Sequence, residues 1–80
     1  MPSRLILYAR PDCHLCDEAR AGLEALQRDG ADFELEEVDI DSDDALLRRY
    51  LERIPVVEVD GELVSELFLN VEAVRAKLRS

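Results

Sequence analysis

Eighty residues, 48% hydrophobic and 36% charged, have the length of one small domain with a single core and the composition of a globular chain, which excludes disorder along most of the length. The 19 acidic residues outnumber the 10 basic ones, for a formal charge of -9; such a surface repels phosphate backbones and anionic headgroups, and Arg48, Arg49 and Arg53 share a helix with Asp43, Asp44 and Glu52 as a mixed solvated face, so neither nucleic acid nor membrane is an expected partner. No stretch approaches ~18 consecutive apolar residues, and Met1-Pro2-Ser3-Arg4 leads into a strand-like stretch without a secretory signal, so the expected location is cytoplasmic.

Leu5 to Ala9 is a continuous apolar run ended by Arg10-Pro11, the pattern of a central strand buried on both faces. Apolar or small residues then recur at Leu15, Ala19, Leu23 and Leu26 up to Gly30, which predicts a first helix over residues 14–29. Phe33, Leu35, Val38 and Ile40 interleave with Glu34, Glu36, Glu37 and Asp39 as an edge strand with one wet face. Ser42 is placed to cap a second helix with Asp43 and Asp44 in its first turn. Its expected buried stripe is Leu46, Leu47, Tyr50, Leu51 and Ile54, with Pro55 as the stop.

Val56–Val59 and Glu62–Ser65 flank Asp60-Gly61, a hairpin signature because both turn residues must take positive φ. A last helix is expected from about Asn70, presenting Val71, Val74 and Leu78. The order is βαβαββα in one domain over residues 1–80. The β-α-β start demands a right-handed crossover and a parallel pair, and the hairpin adds antiparallel strands, giving an α/β chain with a four-stranded mixed sheet and flanking helices.

Cys13-His14-Leu15-Cys16 falls where the first strand gives way to the first helix. A thiol at a helix N-terminus faces unpaired N–H groups and the positive end of the macrodipole, which favour thiolate, so Cys13 is the expected nucleophile. Cys16, one turn further in, can reach Cys13 and is the expected, more buried, resolving thiol. Two alternatives stand beside this one. The same spacing serves zinc, but a zinc site takes about four ligands and the chain has only two Cys and one His, so no metal is expected; inert core thiols would have to bury Cys13 behind Pro11-Asp12. Arg10 and a protonated His14 favour the Cys13 thiolate, while Asp12, Asp17 and Glu18 oppose it, so a moderately acidic thiol is expected. His14 reads either as a pH-sensitive modulator or as a spectator on an exposed turn.

Together the Cys13-His14-Leu15-Cys16 motif after an apolar strand, Ile54-Pro55 before the third strand, and the Asp60-Gly61 hairpin resemble glutaredoxins of the thioredoxin-like superfamily, in particular short bacterial glutaredoxin-like proteins with a Cys-His-Leu-Cys motif. The resemblance covers nearly the whole chain. It implies a thioredoxin-like fold and a cytoplasmic thiol–disulfide oxidoreductase that works as a monomer on protein or small-thiol disulfides, without a tightly bound cofactor and with glutathione as a possible reductant. It also implies that Pro55 is cis and lies beside the cysteines, that the Ile54 backbone pairs with bound substrate in β-strand fashion, and that Arg10 contacts a glutathione carboxylate. Arg10 reads equally as an ordinary exposed arginine.

Glutaredoxins usually carry a Gly-Gly pair after the fourth strand, where this chain has Ser65-Glu66-Leu67-Phe68-Leu69; the lost glycines and the Glu66 anion weigh against glutathione binding. Thioredoxins keep a buried acid beneath the cysteines, and Arg4 to Ala9 contains none. A different class of reading is a non-catalytic binding module, or a dimer holding an iron–sulfur cluster with glutathione.

Overall fold

The apolar N-terminal run occupies an inner position in a four-stranded sheet. In the computed structural model, which describes residues 2–79, strand β1 (Ser3–Ala9) runs parallel to β2 (Phe33–Asp39) and antiparallel to β3 (Val56–Val59), which pairs antiparallel with β4 (Glu62–Glu66). The order across the sheet is β2-β1-β3-β4. Helices α1 (His14–Arg28), α2 (Asp44–Tyr50) and α3 (Val71–Arg79) complete the βαβαββα order that the patterning predicts.

Alternation along β1 assigns the two faces. Leu5, Leu7 and Ala9 join Cys16, Ala19, Leu23 and Leu26 of α1, Phe33, Val57 and Val59 of the neighbouring strands, and Val74 of α3 in the main core. On the opposite face Ile40, Tyr50 and Val56 form a second cluster with Tyr8, Leu46 and Leu47, so α2 and the turn that precedes it pack against that side. Ile54 touches both clusters and bridges the two layers at one end of the sheet.

Local chemistry explains the ends of the elements. Gly30, just past α1, takes φ 104°, a left-handed conformation that closes helices and costs glycine little. In the hairpin Asp60 and Gly61 take φ 50° and 87°, as a two-residue turn with primed geometry requires. The Asp60 carboxylate accepts the Arg4 N–H at 3.0 Å, a bond to the charged form that holds its pKa below the ordinary value. At the start of α3, Asn70 Oδ1 accepts from the Ala73 N–H at 3.0 Å.

Two expectations for the second helix need correction. Asp43, not Ser42, is the cap: its side chain accepts from the Ala45 N–H at 2.8 Å. Ser42 ends a short 3-10 turn, Ile40–Ser42, and its hydroxyl donates back to the Asp39 carbonyl at 2.6 Å. Leu51 does not belong to the buried stripe. The helix stops at Tyr50; Leu51 is its C-cap, with its N–H on the Leu47 carbonyl at 3.0 Å, and its side chain is exposed.

Candidate functional site

Strand directions gather the candidate residues at one end of the sheet. The C-terminal ends of parallel β1 and β2 lie there, and because Tyr8 faces Val56 and Val56 faces Glu66, the start of β3 and the end of β4 lie there too. Arg10 to Cys16, the Ile40–Ser42 turn, Ile54-Pro55 and Glu66 to Leu69 therefore share this end of the molecule.

Between β1 and α1 the chain reverses through Pro11 and Asp12, the latter at φ 59°. Asp and Asn tolerate this left-handed region better than most residues, which suits Asp12 to the turn. The reversal makes Cys13 the N-cap of α1: its backbone is extended, its carbonyl accepts from the Asp17 N–H at 3.0 Å, and its sulfur accepts from the Cys16 N–H at 3.2 Å. Cys13 and Cys16 are joined in a disulfide with Cα atoms 5.2 Å apart. Cys16 is fully buried and Cys13 half-buried, so an incoming sulfur meets Cys13 first.

The charges around the pair are largely matched to partners. Arg10 Nε lies 2.9 Å from Asp41 Oδ1, so this cation is neutralised by an anion from the turn after β2. Arg20 ties Asp17, at 2.9 Å, to Glu37 on β2, at 2.5 Å, and these carboxylates, Glu37 foremost, raise its pKa. His14 is 86% exposed, with Nε2 3.2 Å from Glu18 Oε1 one turn along the helix. With the side-chain charges offset in this way, the unpaired amides and dipole of the helix start are the main favourable influence on a negative sulfur at Cys13.

Pro55 is buried and the Ile54–Pro55 peptide bond is cis. The Ile54 N–H donates to the Tyr50 carbonyl at 3.0 Å, so strand-like pairing of substrate at this residue would fall to its carbonyl. Across from it the chain after β4 is held by several bonds. The Leu67 N–H donates to the Arg53 carbonyl at 2.9 Å, Arg53 forms an ion pair with Glu66 at 2.6 Å, and the buried Ser65 hydroxyl donates to the Phe68 carbonyl at 3.1 Å while accepting the Asn70 N–H at 2.9 Å. Leu67 takes φ 66°. The conformation that a glycine adopts freely is thus kept by a branched side chain in the turn just after Ser65-Glu66.

Asp41, Arg53 and the turn at Leu67 are participants that sequence reasoning missed. The signal for the turn was present, as three adjacent large apolar residues, Leu67, Phe68 and Leu69, between a strand and a helix. The ion-pair partners carried no signal, since any of the many acids could have faced Arg10 or Arg53. On the other face of the sheet, Glu58 accepts from Tyr50 at 2.9 Å and Tyr8 at 3.2 Å, while Arg49 and Arg53 lie over the Tyr50 ring, 5.9 and 5.8 Å from its centre. Among the described residues no helix is long and apolar enough to cross a membrane.

The fold is thioredoxin-like: mitochondrial thioredoxin 3 from Saccharomyces cerevisiae, in its oxidised form, superposes with a TM-score of 0.67 at 17% identity, over 96% of this chain and 76% of that one. A glutaredoxin-like thioredoxin fold with a Cys13–Cys16 pair points to redox activity. The chain belongs to the Glutaredoxin-like domain (DUF836) family, whose model matches residues 4–79. It is similar to protein Ne2328 from Nitrosomonas europaea, at 35% identity and a TM-score of 0.85 over 96% of this chain and 92% of that one. It is also similar to protein XcR50 from X. campestris, at 41% identity and a TM-score of 0.69 over 94% and 95% of the two chains. No curated protein matches the sequence.

Proposed function

We propose that the protein is a dithiol oxidoreductase that reduces protein or low-molecular-weight disulfides. The observation that carries this is the Cys13 sulfur, which caps α1, accepts the Cys16 amide and is bonded to a buried Cys16. In the reduced protein the Cys13 thiolate attacks one sulfur of the substrate disulfide. The substrate S–S bond breaks, the departing thiolate takes a proton from water, and a mixed disulfide remains on Cys13. Cys16 then loses its proton to water and attacks the Cys13 sulfur, expelling the second substrate thiol. Two electrons have passed to the substrate, and the internal disulfide is reopened by a thiol reductant, for which glutathione is our candidate.

A reducing cytoplasm suits this cycle, and we assign the protein there as a monomer. Use of Arg10 to hold a carboxylate of the reductant would require it to leave Asp41. The test is a disulfide-exchange assay with cysteine variants. Cys13→Ser should abolish exchange, and Cys16→Ser should accumulate the mixed disulfide, seen as added substrate mass that a reductant removes. Undiminished exchange by Cys13→Ser sinks the reading. A reconstituted protein that absorbs visible light, with no reversible Cys13–Cys16 bond, would favour cluster carriage instead.

A further inference from the structure

The turn between β4 and α3 has an arrangement that folding by itself does not call for. Phe68 is 70% exposed, more than any other exposed large hydrophobic residue among those described, and Leu67 beside it is 43% exposed. Leu67 holds φ 66°, which a branched side chain disfavours, so this backbone persists because its surroundings over-determine it. Those surroundings are the bonds from Arg53 and Ser65 described above, with the ion pair of Arg53 and Glu66. A rigid frame thus displays two apolar side chains to water at the cysteine end of the sheet, and a partner covering them would lose little conformational freedom of this chain.

Charge describes the partner. The same end carries the exposed carboxylates Asp12 and Asp44, which have no ion pair among the described residues, and Glu18, which faces only the exposed His14, within a chain of net charge -9; Asp17, Asp41 and Glu66 are matched by Arg20, Arg10 and Arg53. A small anionic thiol approaches against this field, whereas a basic segment is drawn in by it.

We infer that Leu67 and Phe68 are specificity-determining residues that dock a basic protein segment, whose apolar side chain covers this turn while its disulfide meets Cys13. The inference rests on the oxidoreductase reading and adds the substrate class. Arg48 and Arg49, on α2, lie by an open cleft of about 410 Å³ with Leu47 and Leu51, and they would favour an acidic segment if docking were centred there instead.

The test compares three disulfide probes on one protein: a peptide with Lys, Arg and Leu around its cysteine, the same peptide with Glu in place of Lys and Arg, and hydroxyethyl disulfide. The basic peptide is expected to react ~10-fold faster than the acidic one, with the advantage shrinking as salt is added. In Phe68→Asp, and in the milder Phe68→Ser, the ratio of basic-peptide to hydroxyethyl-disulfide rates is expected to fall ~10-fold, the scale for losing one buried aromatic contact. Equal rates for the two peptides, faster reaction of the acidic one, or an unchanged ratio in both variants overturns the inference. So does a concentration-dependent dimer that Phe68→Asp dissolves, because the occupant would then be a second copy of the chain.

If no probe reacts, the oxidoreductase reading fails, and docking is judged separately by titrating the basic peptide with Ser in place of Cys. Amide NMR shifts centred on Leu67 and Phe68 would uphold it, and their absence would overturn it.

Discussion

Arg10 and Asp41 form an ion pair of 2.9 Å that joins the loop before Cys13 to the turn after β2. Asp41→Asn should unpair Arg10 and delete a nearby anion, two changes that favour the Cys13 thiolate in the same sense. The variant's reduced Cys13 should ionise at lower pH than in the wild type, followed by ultraviolet thiolate absorbance, and its disulfide should become the more readily reduced. An unchanged titration would mean that Arg10 is too distant or too well hydrated to matter.

The bond from Tyr50 to Glu58, at 2.9 Å, anchors α2 to the sheet through a carboxylate. Tyr50→Phe keeps the ring and loses this bond, which should cost about 1–2 kcal/mol, a hydrogen bond to a charged group being stronger than a neutral one. For a domain of this size the melting temperature should drop by roughly 5–15 °C. Thermal unfolding followed by circular dichroism measures it, and a loss within error would show that water replaces the carboxylate without cost.

Stability should fall on both sides of neutrality for identifiable reasons. Burial first, and Glu58 next, raise the Tyr8 pKa above its ordinary value of 10.0; burial and the hydrogen bond to Glu58 do the same for Tyr50. A group with a raised folded pKa lends stability that is fully present below the unfolded value and is lost as pH climbs through the folded one, so the alkaline limb should steepen above the ordinary tyrosine range. Asp60 is the reverse case: its pKa is lowered chiefly by the Arg4 N–H, so its contribution is present above the ordinary carboxylate range and disappears as pH falls through the depressed value. Denaturant titrations across pH should show a flatter alkaline limb in the variant carrying both Tyr8→Phe and Tyr50→Phe, and a flatter acid limb in Asp60→Asn. Limbs that coincide with the wild type would refute the assignment.

Ser65 is the buried hydroxyl that joins the end of β4 to the start of α3, donating to Phe68 and accepting from Asn70. Ser65→Ala leaves both partners without their bond and should destabilise the protein by about 1–3 kcal/mol. Hydrogen exchange at the Asn70 amide should accelerate more than exchange in the centre of β1. Uniform acceleration would instead indicate a loss of global stability with no local loosening of the turn.

Much of this molecule is written in short-range pattern. The unbroken apolar stretch from Leu5 to Ala9, the Leu23–Leu26 stripe, Asp60-Gly61 and the position of Cys13 before a helix each express a local rule: strand burial, helical period, turn dihedral or capping. Those rules specify the element order and the cysteine pair from the residues alone. They were too coarse to choose Asp43 over the adjacent Ser42 as cap, because both can accept an amide and the choice depended on whether Ser42 bonded back to Asp39. They also put Leu51 in the stripe, since nothing in the period reveals that α2 ends at Tyr50.

What the tertiary structure alone decided is which distant groups meet. Arg10 found Asp41, Arg53 found Glu66, Glu58 took both tyrosines, and Leu67 was held at positive φ by a carbonyl from another loop. The sequence by itself determined that a thiol would cap a helix beside a second thiol. The field around that thiol and the apolar turn at the same end depend on long-range pairing, where many like-charged candidates compete and only packing selects among them.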